Sequence, residues 1–112
     1  MTPKQLAVQA AKAAEDVQAI DLQILDLTSL TSFTDYFIIC SGKSDTQVKA
    51  IADSIAKNLK TKGRLPLGME GYKQGQWVLI DYGDIVAHIF YNEVRPFYNL
   101  EKLWADAPRL IL

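Results

Sequence analysis

WVLIDYGDIVAHIFY, Trp77 to Tyr91, holds two runs of alternating apolar residues joined at Asp81-Tyr82-Gly83-Asp84. A glycine-containing polar break between two β-branched, aromatic-rich runs predicts a β-hairpin. With a two-residue Tyr82-Gly83 turn, Asp81 pairs with Asp84, Leu79 with Val86 and Trp77 with His88; a four-residue loop would require the faces to be redrawn. Side chains alternate across a strand, so two faces follow. One carries Val78, Ile80, Ile85, Ala87 and Ile89 and is plain core. The other carries Trp77, Leu79, Val86, His88 and Phe90 beside the two aspartates. That mixture is too polar for a dry core and too apolar for idle surface, and it predicts a docking face.

Working outward, Thr2-Pro3 is a helix start, with Leu6, Ala10, Ala14 and Val17 at helical spacing to about Gln18. The stripe is shallow and suits a helix across an edge of the domain. Asp21 to Thr28 reads as a first strand, and Tyr36 to Cys40 as a strand buried on both faces. Ser44 followed by Gln47 fits a capping box, and Val48, Ile51, Ala52, Ile55 and Leu59 form the buried stripe of a helix ended by Gly63. Leu65 to Gly71 is a short strand, with Pro66 marking an edge. After the hairpin, Arg95-Pro96 opens a last helix within Val94 to Ala105, carrying Phe97, Leu100, Leu103 and Trp104 on one side. Residues 106–112 form an arm. The order α-β-β-α-β-β-β-α predicts one α/β domain over 1–112, a mixed five-stranded β-sheet flanked by helices.

The chain has 112 residues, is 49% apolar and 22% charged, and has a net charge of −1. That balance is globular and gives no broad attraction to nucleic acid. Charge is nonetheless uneven: from Lys43 to Arg64 six basic residues face two acidic ones, whereas from Leu65 to Glu93 Lys73 stands alone against Glu70, Asp81, Asp84 and Glu93. The hairpin lies in the acidic half, which favours a basic partner. The single Cys40 reads as a small buried hydrophobe. The N-terminus lacks a signal peptide's apolar run, and no stretch approaches the roughly 18 apolar residues of a membrane span, so a cytoplasmic protein is expected.

Gly42-Lys43-Ser44 invites a nucleotide reading, but Phe37 stands where a phosphate loop needs its first glycine. A cap explains the serine, while the helix N-terminus keeps a weaker anion reading open. One histidine and one cysteine do not make a zinc site. Ser41 or Ser44 with His88 lacks the strained glycine turn of a nucleophilic serine. Glu70, Asp81 and Asp84 could share magnesium, but aspartates at a turn ordinarily satisfy backbone N–H groups. No metal and no cofactor are expected. Trp77 reads as an interface anchor, the competing reading being a second small core beneath the terminal helix or arm.

Four blocks, Phe33-Thr34-Asp35-Tyr36-Phe37-Ile38-Ile39-Cys40-Ser41-Gly42, Pro66-Leu67-Gly68-Met69-Glu70-Gly71, Trp77 to Asp84, and Tyr98-Asn99-Leu100-Glu101-Lys102-Leu103-Trp104, together resemble the ribosomal silencing factors of the Iojap family. The resemblance implies a non-enzymatic translational repressor that binds the large ribosomal subunit through ribosomal protein number fourteen, a basic protein, and blocks joining of the small subunit when nutrients are short. Trp77, Asp81, Tyr82, Asp84, His88 and Glu70 map to that contact. It also implies a homodimer of the free protein, for which Trp77, Leu79 and Phe90 are the candidate residues. The family's fold resembles that of nucleotidyltransferases, so a nucleotidyltransferase-like enzyme or nucleotide-binding protein is the alternative. The strand after the central helix offers Glu70 alone, without the catalytic carboxylate pair. Direct RNA binding through the lysines of that helix lacks interleaved aromatics, and no sequence-specific nucleic-acid partner is expected.

Overall fold

The computed structural model describes all 112 residues, Met1–Leu112. The elements run α1 (Pro3–Asp16), β1 (Ile20–Asp26), β2 (Tyr36–Gly42), α2 (Asp45–Thr61), β3 (Gly68–Glu70), β4 (Trp77–Asp81), β5 (Ile85–Tyr91), α3 (Arg95–Tyr98), α4 (Leu100–Leu103) and β6 (Arg109–Leu110). One mixed sheet has the order β3-β4-β5-β2-β1-β6, with β2 and β5 parallel and every other pair antiparallel. It has six strands rather than five, because the terminal arm adds β6 to the edge of β1.

Helices α1 and α2 cover one face. Thr2 caps α1 by accepting from the Gln5 amide at 3.1 Å, while the Gln5 side chain accepts from the Thr2 amide at 2.9 Å. The alanines of α1 do not mark an edge. Ala7, Ala10, Ala11, Ala13 and Ala14 are buried against α2 and the sheet, their small side chains letting the backbones approach closely. Helix α2 buries Val48, Ile51, Ala52, Ile55 and Leu59 over Ile38, Cys40, Ile80, Ala87 and Ile89, each large side chain contributing about 2 kcal/mol of transfer free energy. It ends in a Schellman motif: Gly63 at φ +79°, with the Arg64 amide donating to Leu59 O and the Gly63 amide to Lys60 O.

The hairpin register differs from the two-residue turn. Trp77 pairs with Phe90, Leu79 with His88 and Asp81 with Val86, leaving Tyr82-Gly83-Asp84 between β4 and β5, with the Tyr82 amide donating to the Ile85 carbonyl at 2.9 Å. Three contacts fix it. Asp81 Oδ1 accepts from the Gly83 amide at 2.8 Å, with Gly83 at φ +87°. The Asp84 carboxylate receives a bidentate grip from Arg64 at 2.8 and 3.1 Å. The Asp84 carbonyl accepts from the amides of Asp35 and Tyr36. Because the slip is two residues, face membership within the strands is unchanged. The single last helix is also absent. Asn99 at φ +46° splits it into α3 and α4, and Phe97 and Leu103 are 86% and 73% exposed.

Candidate functional site

The sheet face opposite the helices is covered over only part of its width. Leu25, Leu27, Ile39, Phe90 and Ala107 form a second, smaller core, flanked by Phe37, Trp77, Leu100 and Trp104. The residues after β5 roof it. Trp104 sits edge-on to Phe37 with centroids 6.0 Å apart, and Tyr98 lies 4.5 Å from Trp77. Arg95 bolts this roof to the sheet: its buried guanidinium donates to Glu101 at 2.8 Å, Ser41 Oγ at 2.9 Å and the Ile20 carbonyl at 3.4 Å. Read from sequence as a helix opener, Arg95 gave no sign of this role.

Trp77 is therefore half-buried, stacked on Phe90 at 5.1 Å, and belongs partly to the second core. Its indole N–H donates to His88 Nδ1 at 3.1 Å. A neutral imidazole that accepts at Nδ1 carries its proton on Nε2. His88 is 4% exposed, and burial pushes its pKa down to about 4, so it is neutral at physiological pH. Its Nε2 has no partner within the protein.

Beyond the roof the face is open. Phe33, Thr34, Phe37, Leu79, Asp81, Val86, His88 and Trp104 line a cleft of about 360 Å³, and a second concavity of about 230 Å³ lies between Glu70, Gly71, Trp77 and Leu79. Leu79 is common to both. The structure thus brings Trp77, Leu79, Asp81 and Glu70 to one surface, while His88, expected there too, is buried and lines the larger cleft from beneath. Tyr82 and Asp84 stand apart from it. Tyr82 is 3% exposed among the residues of the helix-side core, its phenol pushed up to about 12 by burial, and Asp84 is held by Arg64. Phe90 is completely buried by the roof, which removes it from the exposed self-association candidates. Phe33, 89% exposed, and Thr34 beside it open one of the four blocks that carry the family resemblance, but nothing in the sequence indicated that they join this site.

The Gly42-Lys43-Ser44 turn is used internally. Ser44 Oγ accepts from the Gln47 amide at 3.1 Å, Gln47 Oε1 accepts from the Lys43 amide at 2.7 Å, and Gln47 Nε2 donates to the carbonyls of Val17 and Gln18. The reciprocal bond comes from Lys43, so the motif is displaced one residue from a regular capping box. A Cβ at Gly42 would lie 2.9 Å from the Val48 amide nitrogen, so helix and strand meet at the glycine. No group of three or more His, Cys, Asp or Glu side chains is placed to hold a metal ion, and no helix is long and apolar enough to cross a membrane.

Residues 1–111 match the family model described as ribosomal silencing factor during starvation. The chain is similar to the ribosomal silencing factor RsfS of Bacillus subtilis, 44% identical over 96% of this chain and 92% of that protein. It is also similar to the chloroplastic protein Iojap of maize, 36% identical over 90% of this chain and 44% of the maize protein. Among solved structures, a Chromobacterium violaceum protein superposes with a TM-score of 0.91 at 39% identity, over 94% of this chain and 88% of that one.

Proposed function

The chain belongs to the ribosomal silencing factor family, and from that premise we propose that it represses translation by docking on the large ribosomal subunit through ribosomal protein number fourteen. Seated there, the domain occupies space that the small subunit needs. The mechanism is steric exclusion under nutrient limitation, in the cytoplasm where ribosomes work. It requires no bond to be made or broken.

The observation that carries this reading is the open part of the second sheet face. An apolar cleft and its neighbour meet at half-buried Leu79 beside half-buried Trp77, with Asp81 and Glu70 around them. Aromatic anchors, apolar walls and a charged rim are the anatomy of a protein interface, and the acidic rim complements a basic partner. In the free protein the same surface would pair with a second copy through Leu79 and Trp77, giving a homodimer.

Sedimentation with separated ribosomal subunits tests the reading. The natural protein should travel with the large subunit and prevent its joining to the small one. Trp77→Ala and the more exposed Glu70→Lys should lose both behaviours while keeping their circular dichroism. A natural protein that stays folded at the top of the gradient would overturn the proposal.

A further inference from the structure

Four buried side-chain polar atoms in the protein lack a hydrogen-bond partner, and two of them, Thr34 Oγ1 and His88 Nε2, belong to residues lining one cleft. Thr34 is 6% exposed and His88 4%. Native proteins satisfy nearly all buried polar groups, so two orphans around one opening call for a group arriving from outside. Their chemistry constrains that group. Trp77 donates to Nδ1 of His88, which leaves Nε2–H as a donor in need of an acceptor. The Thr34 hydroxyl can donate or accept. The walls are apolar: Phe33, Phe37, Leu79, Val86 and Trp104. Thr31, whose hydroxyl accepts from the Phe33 amide at 3.2 Å, and Asp81 complete the lining, and with Oδ1 bound to the Gly83 amide Asp81 keeps its second oxygen free for a cation.

We propose that this cleft is the anchor pocket of the docking face and that it takes a peptide segment of a basic protein. One carbonyl oxygen of the segment accepts from His88 Nε2–H and engages the Thr34 hydroxyl, while a lysine or arginine of the same segment pairs with Asp81 and lays its aliphatic stem on Leu79 and Val86. A phosphate of RNA would offer an acceptor too, but it would meet the carboxylate of Asp81 and, beyond Leu79, that of Glu70. Electrostatics therefore selects the peptide over the nucleic acid. The assignment rests on the docking reading above and adds the pocket, the polar atoms and the chemistry of the group they receive.

Thr34→Val tests it, because valine matches threonine in shape and deletes only the hydroxyl. In the free protein that hydroxyl has no partner, so the thermal midpoint of the variant should be unchanged or higher. Binding to purified large ribosomal subunits, measured in parallel, should weaken roughly three- to tenfold, while Thr34→Ser should stay within about twofold of the natural protein. Asp81→Asn should also weaken binding and flatten its dependence on salt. Equal binding by Thr34→Val and the natural protein would overturn the anchor pocket and leave the docking reading standing, since the orphans would then be satisfied by water alone. A lower midpoint for Thr34→Val would overturn it as well, by showing that the hydroxyl has a structural partner. Failure of the natural protein itself to bind would overturn the docking reading and the pocket together.

Discussion

His88 couples the stability of the second core to the cleft that it lines. Its imidazole holds Trp77 in place by accepting the indole N–H, and burial depresses its pKa from the ordinary 6.5 to about 4. Between those values the unfolded chain binds a proton that the native protein does not, so stability rises with pH across the interval. The stabilisation is complete above pH 6.5, begins to be lost as pH falls below it, and is fully lost below about 4. The total is on the order of 3 kcal/mol, with a slope approaching 1.4 kcal/mol per pH unit within the interval. Denaturant titrations between pH 5 and 6.5 should show this slope in the natural protein and its absence in His88→Gln, which keeps an acceptor for Trp77 and does not titrate. The carboxylate of Asp26, held below its usual value by its hydrogen bonds to Thr28, loses its contribution only at lower pH and does not disturb that window. Tyr82 follows Val78 and Ile80 at even positions, and that parity is the signal that it faces the helices; its place in a polar turn masked it. Phe90 has the parity of the face proposed for docking, but the roof that buries it comes from later in the chain and leaves no mark on the strand.

The residues after β5 are the element on which the site depends. Two helices of four residues each cannot hold themselves, so their position comes from long-range bonds. Arg95 supplies two of these, to Ser41 and Ile20, while its bond to Glu101 ties α3 to α4, and the Asp26 amide adds another by donating to the Pro108 carbonyl at 2.8 Å. Arg95→Ala removes a buried cation and strands Glu101 and Ser41, a loss of about 3 kcal/mol. The loss should fall on the roof alone. The amides of Asp26 and Ala107 should exchange about 100-fold faster, while those of β2 and β5 keep their protection. Arg95→Lys should not restore protection, because an ammonium lacks the planar fork that reaches Glu101, Ser41 and Ile20 at once. Uniform acceleration throughout the sheet would show instead that the roof and the main core unfold as one unit. None of these bonds was legible in sequence. The helical spacing of Phe97, Leu100, Leu103 and Trp104 favoured a continuous helix, and one left-handed residue, Asn99, redirects the chain so that Trp104 packs inward while Phe97 and Leu103 face solvent. Helix α2, by contrast, was legible from cap to cap, because its stripe, start and glycine stop are all local signals.

For the whole molecule, the sheet separates two electrostatic surfaces that the net charge of −1 conceals. Helix α2 turns Lys57 and Lys60 to solvent on one side, while Glu70 and Asp81 accompany the cleft on the other. Sequence blocks of opposite charge anticipated this separation because α2 and the hairpin are each contiguous in the chain, and the period-two pattern of β4 and β5 placed the apolar residues on the correct faces even with the turn misjudged by two residues. If a basic partner docks on the cleft side, attraction should depend on which surface a charge occupies and not on the total. Lys57→Glu with Lys60→Glu and Glu70→Lys with Asp81→Lys change the net charge by equal amounts in opposite directions. The first pair should leave binding to large subunits within about twofold. The second should reduce it by at least about tenfold, mainly through slower association, with the difference narrowing as ionic strength rises toward 0.5 M. Should the lysine variant lose binding and the carboxylate variant keep it, the partner lies on the helical side and is itself acidic, as ribosomal RNA would be.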